Sequence, residues 1–147
     1  MMAASTVSGS CTSRRPLSIL LIEDDPIDQE ATRRALVHNK IPFVLQIAGD
    51  GAAGLACLRN GTNFDVVLLD LKLPMCGGIE VLAELQRTPP SHLPPIVVLT
   101  SSDSDNDRRG CWARGVVGYF MKPLAGAELS RLMDVICSYW WHSLPRP

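Results

Sequence analysis

Long apolar runs are missing from this sequence. Its longest uninterrupted stretches, such as Ile19 to Ile22, Val66 to Leu69 and Ile96 to Leu99, are four residues, far short of the ~18 that cross a bilayer, so no membrane-spanning helix is expected. An excess of charge is missing as well: 14 Lys and Arg stand against 15 Asp and Glu, which argues against a nucleic-acid or membrane partner. The five cysteines (Cys11, Cys57, Cys76, Cys111 and Cys137) are an odd number without a Cys-x-x-Cys pair, which speaks against a disulfide framework and for a reduced, cytoplasmic protein. The three histidines, His38, His92 and His142, lie far from one another and from any cysteine at ligand spacing, so a zinc site is not expected. Residues 1–16, MMAASTVSGSCTSRRP, lack both an acid and the apolar core of a secretory signal. They are expected to form a disordered leader, with an organelle transit peptide as the alternative.

What is present is an alternation. A chain of 147 residues fits one domain able to bury ~70% of its extended surface. From Leu17 onward, short runs rich in Val, Ile, Leu and Phe alternate with stretches of helical period, the pattern of parallel strands and crossover helices. The runs are 17–22, 43–48, 65–69, 95–99 and 116–121, read as strands buried on both faces of an α/β sandwich.

The helices carry their own punctuation. Asp25-Pro26 reads as an N-cap with proline at the first position, and Ile27, Ala31 and Ala35 then recur along one face. Asp50-Gly51 opens a second helix that ends at Asn60-Gly61, and a third from Ile79, with Val81, Leu82 and Leu85 inward, stops at Thr88-Pro89-Pro90. The fifth shows an apolar stripe at Leu129, Leu132, Met133, Ile136 and Trp140. Residues 103–114 make the weakest helix by propensity, readable either as a switch element or as a short frayed surface helix.

The ends of the strands are informative, because open α/β sheets bind ligands outside their carboxyl ends. Strand one runs into Glu23, Asp24 and Asp25, strand three into Asp70, strand four into Thr100, Ser101 and Ser102, and strand five into Lys122-Pro123. Asp25 is best read as a helix cap. Clustered carboxylates repel unless a cation sits among them, and an all-oxygen set of this kind suits Mg²⁺. Such a site, facing a lysine and a hydroxyl, can hold a phosphoryl group, and Asp70 is the candidate nucleophile, since carboxylates form aspartyl-phosphates.

ILLIEDD at 19–25, VVLLDLKLP at 66–74, VVLTSS at 97–102 and YFMKP at 119–123 resemble, in order and spacing, the landmarks of the receiver domain of two-component response regulators. The resemblance covers residues 17–142, leaving 1–16 as leader and 143–147 as tail. It implies a single doubly wound five-stranded parallel sheet of order 2-1-3-4-5, flavodoxin-like (CheY-like). By the same resemblance, Asp70 is the phosphoacceptor for a phosphohistidine on a sensor histidine kinase, and Glu23, Asp24, Asp70 and the backbone carbonyl of Lys72 hold Mg²⁺. Thr100 bonds the new phosphoryl oxygen, Lys122 pairs with it, and Tyr119 is either the aromatic that swings inward or a half-buried strand tyrosine. A cis peptide is expected between Lys122 and Pro123. Glu23 stands where many members have Asp, and Gly77-Gly78 stands where Asp-Gly is common. Lys72 and Ser102 occupy positions that tune how long the phosphoryl group survives.

After Lys122 there is room for a fifth helix and a short tail but for no DNA-binding or enzymatic effector, so a stand-alone receiver that signals through protein contacts is expected. Tyr139, Trp140 and Trp141 supply a large part of a small aromatic content. Trp140 is read on the core stripe and its neighbours on the flanks, as an interface for a homodimer or a kinase. SYWWHSLPRP resembles the aromatic ending of regulators that serve bacterial phytochrome kinases. Two other classes remain open. A haloacid-dehalogenase-type phosphatase lacks its second acid here, since Lys72 stands two residues after Asp70; a phosphorylation-independent interaction module would keep the fold without the chemistry.

Overall fold

The computed structural model describes residues 14–143. Five strands alternate with five helices: β1 (Leu17–Ile22), α1 (Pro26–His38), β2 (Phe43–Ala48), α2 (Gly51–Arg59), β3 (Val66–Leu69), α3 (Gly78–Arg87), β4 (Ile96–Thr100), α4 (Asp105–Ala113), β5 (Gly118–Met121) and α5 (Gly126–His142). All strand pairs are parallel, in the order β2-β1-β3-β4-β5, the expected 2-1-3-4-5.

Because strand side chains alternate between faces, each central strand feeds two cores. Leu20, Ile22, Val67, Leu69 and Val98 pack with residues of α2 and α3 and with Cys111 of α4. Ile19, Leu21, Val66, Leu68, Val97 and Leu99 pack on the other side with Ala35 and Leu36 of α1 and with Leu129, Met133 and Ile136 of α5. The continuous apolar runs of β1, β3 and β4 are thus the signature of two covered faces.

The second strand departs from that expectation. In β2, Val44, Gln46 and Ile47 are exposed, because this strand lies at the edge of the sheet. A similar correction applies to α1. Its start is as expected, with Asp25 Oδ1 accepting from the Ile27 N–H at 2.9 Å and Pro26 at the first position. Ile27 itself, however, is 77% exposed; Ala35 is buried and Ala31 packs against the core as expected, and Thr32 and Leu36 complete the buried face.

The expected weak helix forms as α4, capped by Ser104, whose hydroxyl accepts from the Asp107 N–H. It buries Cys111 alone, so little packing supports it. Residues 1–13 of the expected leader and 144–147 of the tail lie outside the described residues. The last part of the leader is held. Arg15 makes a two-pronged ion pair with Asp65, at 2.7 and 2.8 Å, and the Arg14 guanidinium lies 4.0 Å from the centre of the Trp141 ring.

Candidate functional site at the carboxyl ends of the strands

Each central strand ends by delivering one group to the same rim. β1 hands over to Glu23, whose N–H donates to the Ala48 carbonyl at 3.0 Å and whose side chain is buried, at 2% exposure. β3 hands over to Asp70, also buried, whose N–H donates to the Ile22 carbonyl at 3.0 Å. β4 ends at the fully buried Thr100. Lys122 follows β5, tied by its N–H to the Thr100 carbonyl at 2.8 Å.

The Lys122 ammonium joins these parts. It donates to Glu23 Oε1 at 2.6 Å, to Asp28 Oδ2 at 2.9 Å and to Asp70 Oδ2 at 3.4 Å. Asp28, from the first turn of α1, is absent from the set expected from sequence. It stands 94 residues from Lys122, and no local pattern distinguishes it from an ordinary first-turn acid.

The expected cis bond is corrected. Among the described residues every peptide bond is trans, Lys122–Pro123 included. The lysine stem reaches all three carboxylates from a trans bond, which an Xaa-Pro pair favours by roughly 0.5–1 kcal/mol.

Around Thr100 the polar groups form a chain. Thr100 Oγ1 accepts from the Ser102 N–H at 3.3 Å, and the Ser102 hydroxyl donates to Asp107 Oδ2 in α4 at 2.5 Å. The Tyr119 hydroxyl donates to the Ser102 carbonyl at 2.9 Å. Tyr119 is half-buried and packs against the core.

Burial pushes the Glu23 carboxyl up to about 7, against the lowering pull of the Lys122 hydrogen bond and with the charge of Asp70 adding to the rise. For Lys122, burial works to lower the pKa, but hydrogen bonds to Glu23 and Asp28 and the charge of Asp70 raise it above its ordinary value. A carboxyl whose folded pKa exceeds its ordinary 4.5 contributes stability below that value and loses it as pH rises through the folded one. At ~1.4 kcal/mol per pKa unit the loss is at most a few kcal/mol. Glu23→Gln cannot titrate there. The stability of wild type minus variant is therefore expected to fall between pH 4.5 and 7 in urea melts without divalent ions, and a difference that is flat with pH would overturn this account.

Glu23, Asp24 and Asp70 can each offer one carboxylate oxygen within 4.8 Å of the others. Asp24 is exposed, leaving one side of the cluster open. An all-oxygen donor set of this kind fits a hard divalent cation.

The family model for the response regulator receiver domain matches residues 19–134. The chain belongs to the response regulator receiver family. Phosphoryl acceptance is that family's general function, its members are phosphoacceptors and not conventional enzymes, and they interact with histidine kinases and bind Mg²⁺ or Mn²⁺ at an acidic cluster. Among similar proteins, a probable methanogenesis regulatory protein, FilR2 of Methanothrix harundinacea, is 36% identical over 139 residues, covering 90% of each chain. Response regulator Rcp1 of Synechocystis is 33% identical over 141 residues, covering 92% of this chain and 96% of its own. Its Mn²⁺-bound crystal structure superposes with a TM-score of 0.77. The phosphorylated cyanobacterial phytochrome response regulator RcpA superposes with a TM-score of 0.80 at 29% identity, covering 90% of this chain and 99% of that one.

Other sequence expectations meet the receiver geometry unevenly. The Lys72 side chain is exposed, while its N–H donates to Asp70 Oδ1 at 3.3 Å. The Gly77-Gly78 turn is not left-handed at either glycine; Met75 carries the positive φ, 63°. Of the three C-terminal aromatics, Trp140 and Trp141 pack against the α1/α5 core, so Trp141 is not the free flank expected. Tyr139 is, at 64% exposure, with its ring edge-on to Trp140 at 4.7 Å. Among the described residues no helix is long and apolar enough to cross a membrane.

Proposed function

We propose that this receiver takes a phosphoryl group from the phosphohistidine of a sensor histidine kinase onto Asp70 and passes the signal on through protein contacts. The supporting observation is the convergence of a buried carboxylate at the end of a central strand with a single ammonium, Lys122, that touches it and two neighbours. An Asp70 carboxylate oxygen forms the new O–P bond while the N–P bond to the donor imidazole breaks and its electron pair leaves with the ring nitrogen. Lys122 neutralises charge on the phosphoryl oxygens and the Thr100 hydroxyl donates to one of them. Glu23, Asp24, Asp70 and the Lys72 carbonyl would hold Mg²⁺, which when bound spreads the developing negative charge.

Phosphorylation adds about -1.5 to -2 charges beside Thr100. Rotation of Thr100 toward a phosphoryl oxygen pulls on the Ser102 N–H that it accepts, and Ser102 is bonded to both Asp107 of α4 and Tyr119 of β5. In this scheme the sparsely packed α4 and the β5 face carry the output, with Tyr119 as the aromatic that reports the state of Thr100.

The test is direct. After incubation with acetyl phosphate and Mg²⁺, the intact mass is expected to rise by one phosphoryl group per chain. A protein that takes up none would instead be a phosphorylation-independent interaction module. A phytochrome-type kinase is the first donor to try, supported by the likeness to RcpA, itself a phytochrome response regulator.

Val135 and Tyr139, one turn apart on α5, are both exposed and offer an apolar surface for a second copy or for the kinase. A homodimer through α5 predicts a doubled mass in light scattering, before or after beryllofluoride treatment. A monomer in both states counts against it.

A further inference from the structure

An ammonium has three N–H donors, and all three of Lys122 are taken in the resting structure. Glu23 holds the shortest bond at 2.6 Å, Asp28 the next at 2.9 Å, and Asp70 the longest at 3.4 Å. A phosphoryl group on Asp70 needs a short bond from this ammonium, whose contact with Asp70 is the longest of the three, so the ammonium has to move toward it at the expense of one of the two shorter bonds.

The two shorter bonds are not equal candidates for exchange. The Glu23 side chain is 2% exposed, so it gives up the ammonium only where another cation takes its place. The Asp28 side chain is 39% exposed, and water can replace the ammonium there at little cost. Asp28 is also firmly placed. Its turn is fixed on one side by the Asp25 cap, and on the other by Gln29, whose amide donates to the Glu23 carbonyl at 2.7 Å. It lies outside the Glu23, Asp24 and Asp70 cluster that fits a cation.

We propose that Asp28 is a positioning residue, which holds the Lys122 ammonium away from Asp70 in the resting protein and thereby sets how tightly the site takes a phosphoryl group. This rests on Asp70 being the phosphoacceptor. Asp28 touches no reacting atom and acts through Lys122 alone.

The probe is beryllofluoride with Mg²⁺, followed by fluorine NMR titration of wild type, Asp28→Asn and Asp28→Glu. Asp28→Asn weakens the competing acceptor and is expected to bind roughly three- to fivefold more tightly, the scale of a half-exposed ion pair. Asp28→Glu, which restores the charge, is expected to return toward wild type. In parallel, the Lys122 ammonium resonance, assigned by its loss in Lys122→Arg, is expected to shift and to exchange faster with water in resting Asp28→Asn. Unchanged or weaker binding by Asp28→Asn overturns the inference. So does tighter binding without movement of the Lys122 signal, because Asp28 would then act by its field and not through the lysine. A wild type that binds no beryllofluoride overturns the phosphoacceptor reading itself, whereas a binding wild type with an indifferent Asp28→Asn overturns the inference alone.

Discussion

Asp70→Asn is expected to take up no phosphoryl group from acetyl phosphate while keeping the fold. An amide has neither the charge nor the available lone pair of a carboxylate nucleophile, so the loss is complete rather than partial. The fold survives because the contacts that place residue 70 do not need the charge. Its N–H donates to the Ile22 carbonyl, and its Oδ1 accepts from the Lys72 N–H, a role the amide oxygen can keep. Two charge effects oppose each other. Removing the carboxylate relieves repulsion with Glu23 and Asp24, and it forfeits the Lys122 contact, which at 3.4 Å is the longest of that lysine's three. Their balance is expected to lie within about 1 kcal/mol of wild type. Intact mass and urea melts on the same sample check both halves. Uptake by Asp70→Asn equal to that of wild type would remove Asp70 from the reaction, and an unfolded variant would show that the carboxylate is structural.

The parts legible in the sequence were those fixed by periodicity and by strand ends. The runs of β1, β3 and β4 are apolar without interruption because each faces helices on both sides, and the residue following each run must then emerge at one rim. Glu23, Asp70, Thr100 and Lys122 are therefore legible as a set from the sequence alone. The second run is likewise rich in Val, Ile, Leu and Phe, yet Val44 and Ile47 face solvent; richness in such residues reports affinity for a strand but not whether that strand is central or at an edge. Asp28 and the Ser102 network were not legible for a different reason. A hydroxyl or carboxylate within a turn has many local uses, and only the packing of α1 and α4 against the rim selects Lys122 and Asp107 as partners. Arg14 and Arg15 read as part of a featureless leader, because Asp65 and Trp141 are brought to them by the sheet and by α5.

Gly78 supports the largest expected loss of stability near the site. It opens α3, and its N–H donates to the Leu71 carbonyl at 3.0 Å. A methyl group there would stand 2.6 Å from the Asp70 carbonyl oxygen and 2.7 Å from the Leu71 Cα, both backbone atoms. Neither can turn aside as a side chain would, so α3 and the end of β3 must separate. The cost is expected to be roughly 2–4 kcal/mol, at the upper end for an overpacked site. The same displacement moves Asp70 relative to Lys122, so phosphoryl uptake by Gly78→Ala is expected to fall even at temperatures where the variant is folded. The neighbouring glycine is the control. At Gly77 the nearest contacts are 3.4 Å to Glu80 Oε1 and 3.6 Å to the Leu71 carbonyl. Its own N–H is satisfied by the Glu80 carboxylate at 3.1 Å. Gly77→Asp supplies a side-chain cap at ordinary contact distance, without a clash, and is expected to change stability by only a few tenths of a kcal/mol. Urea melts of the two variants decide the matter. Equal stability would mean that the close approach at Gly78 relaxes without cost, and that the contact between α3 and the phosphoacceptor strand does not hold Asp70 in place.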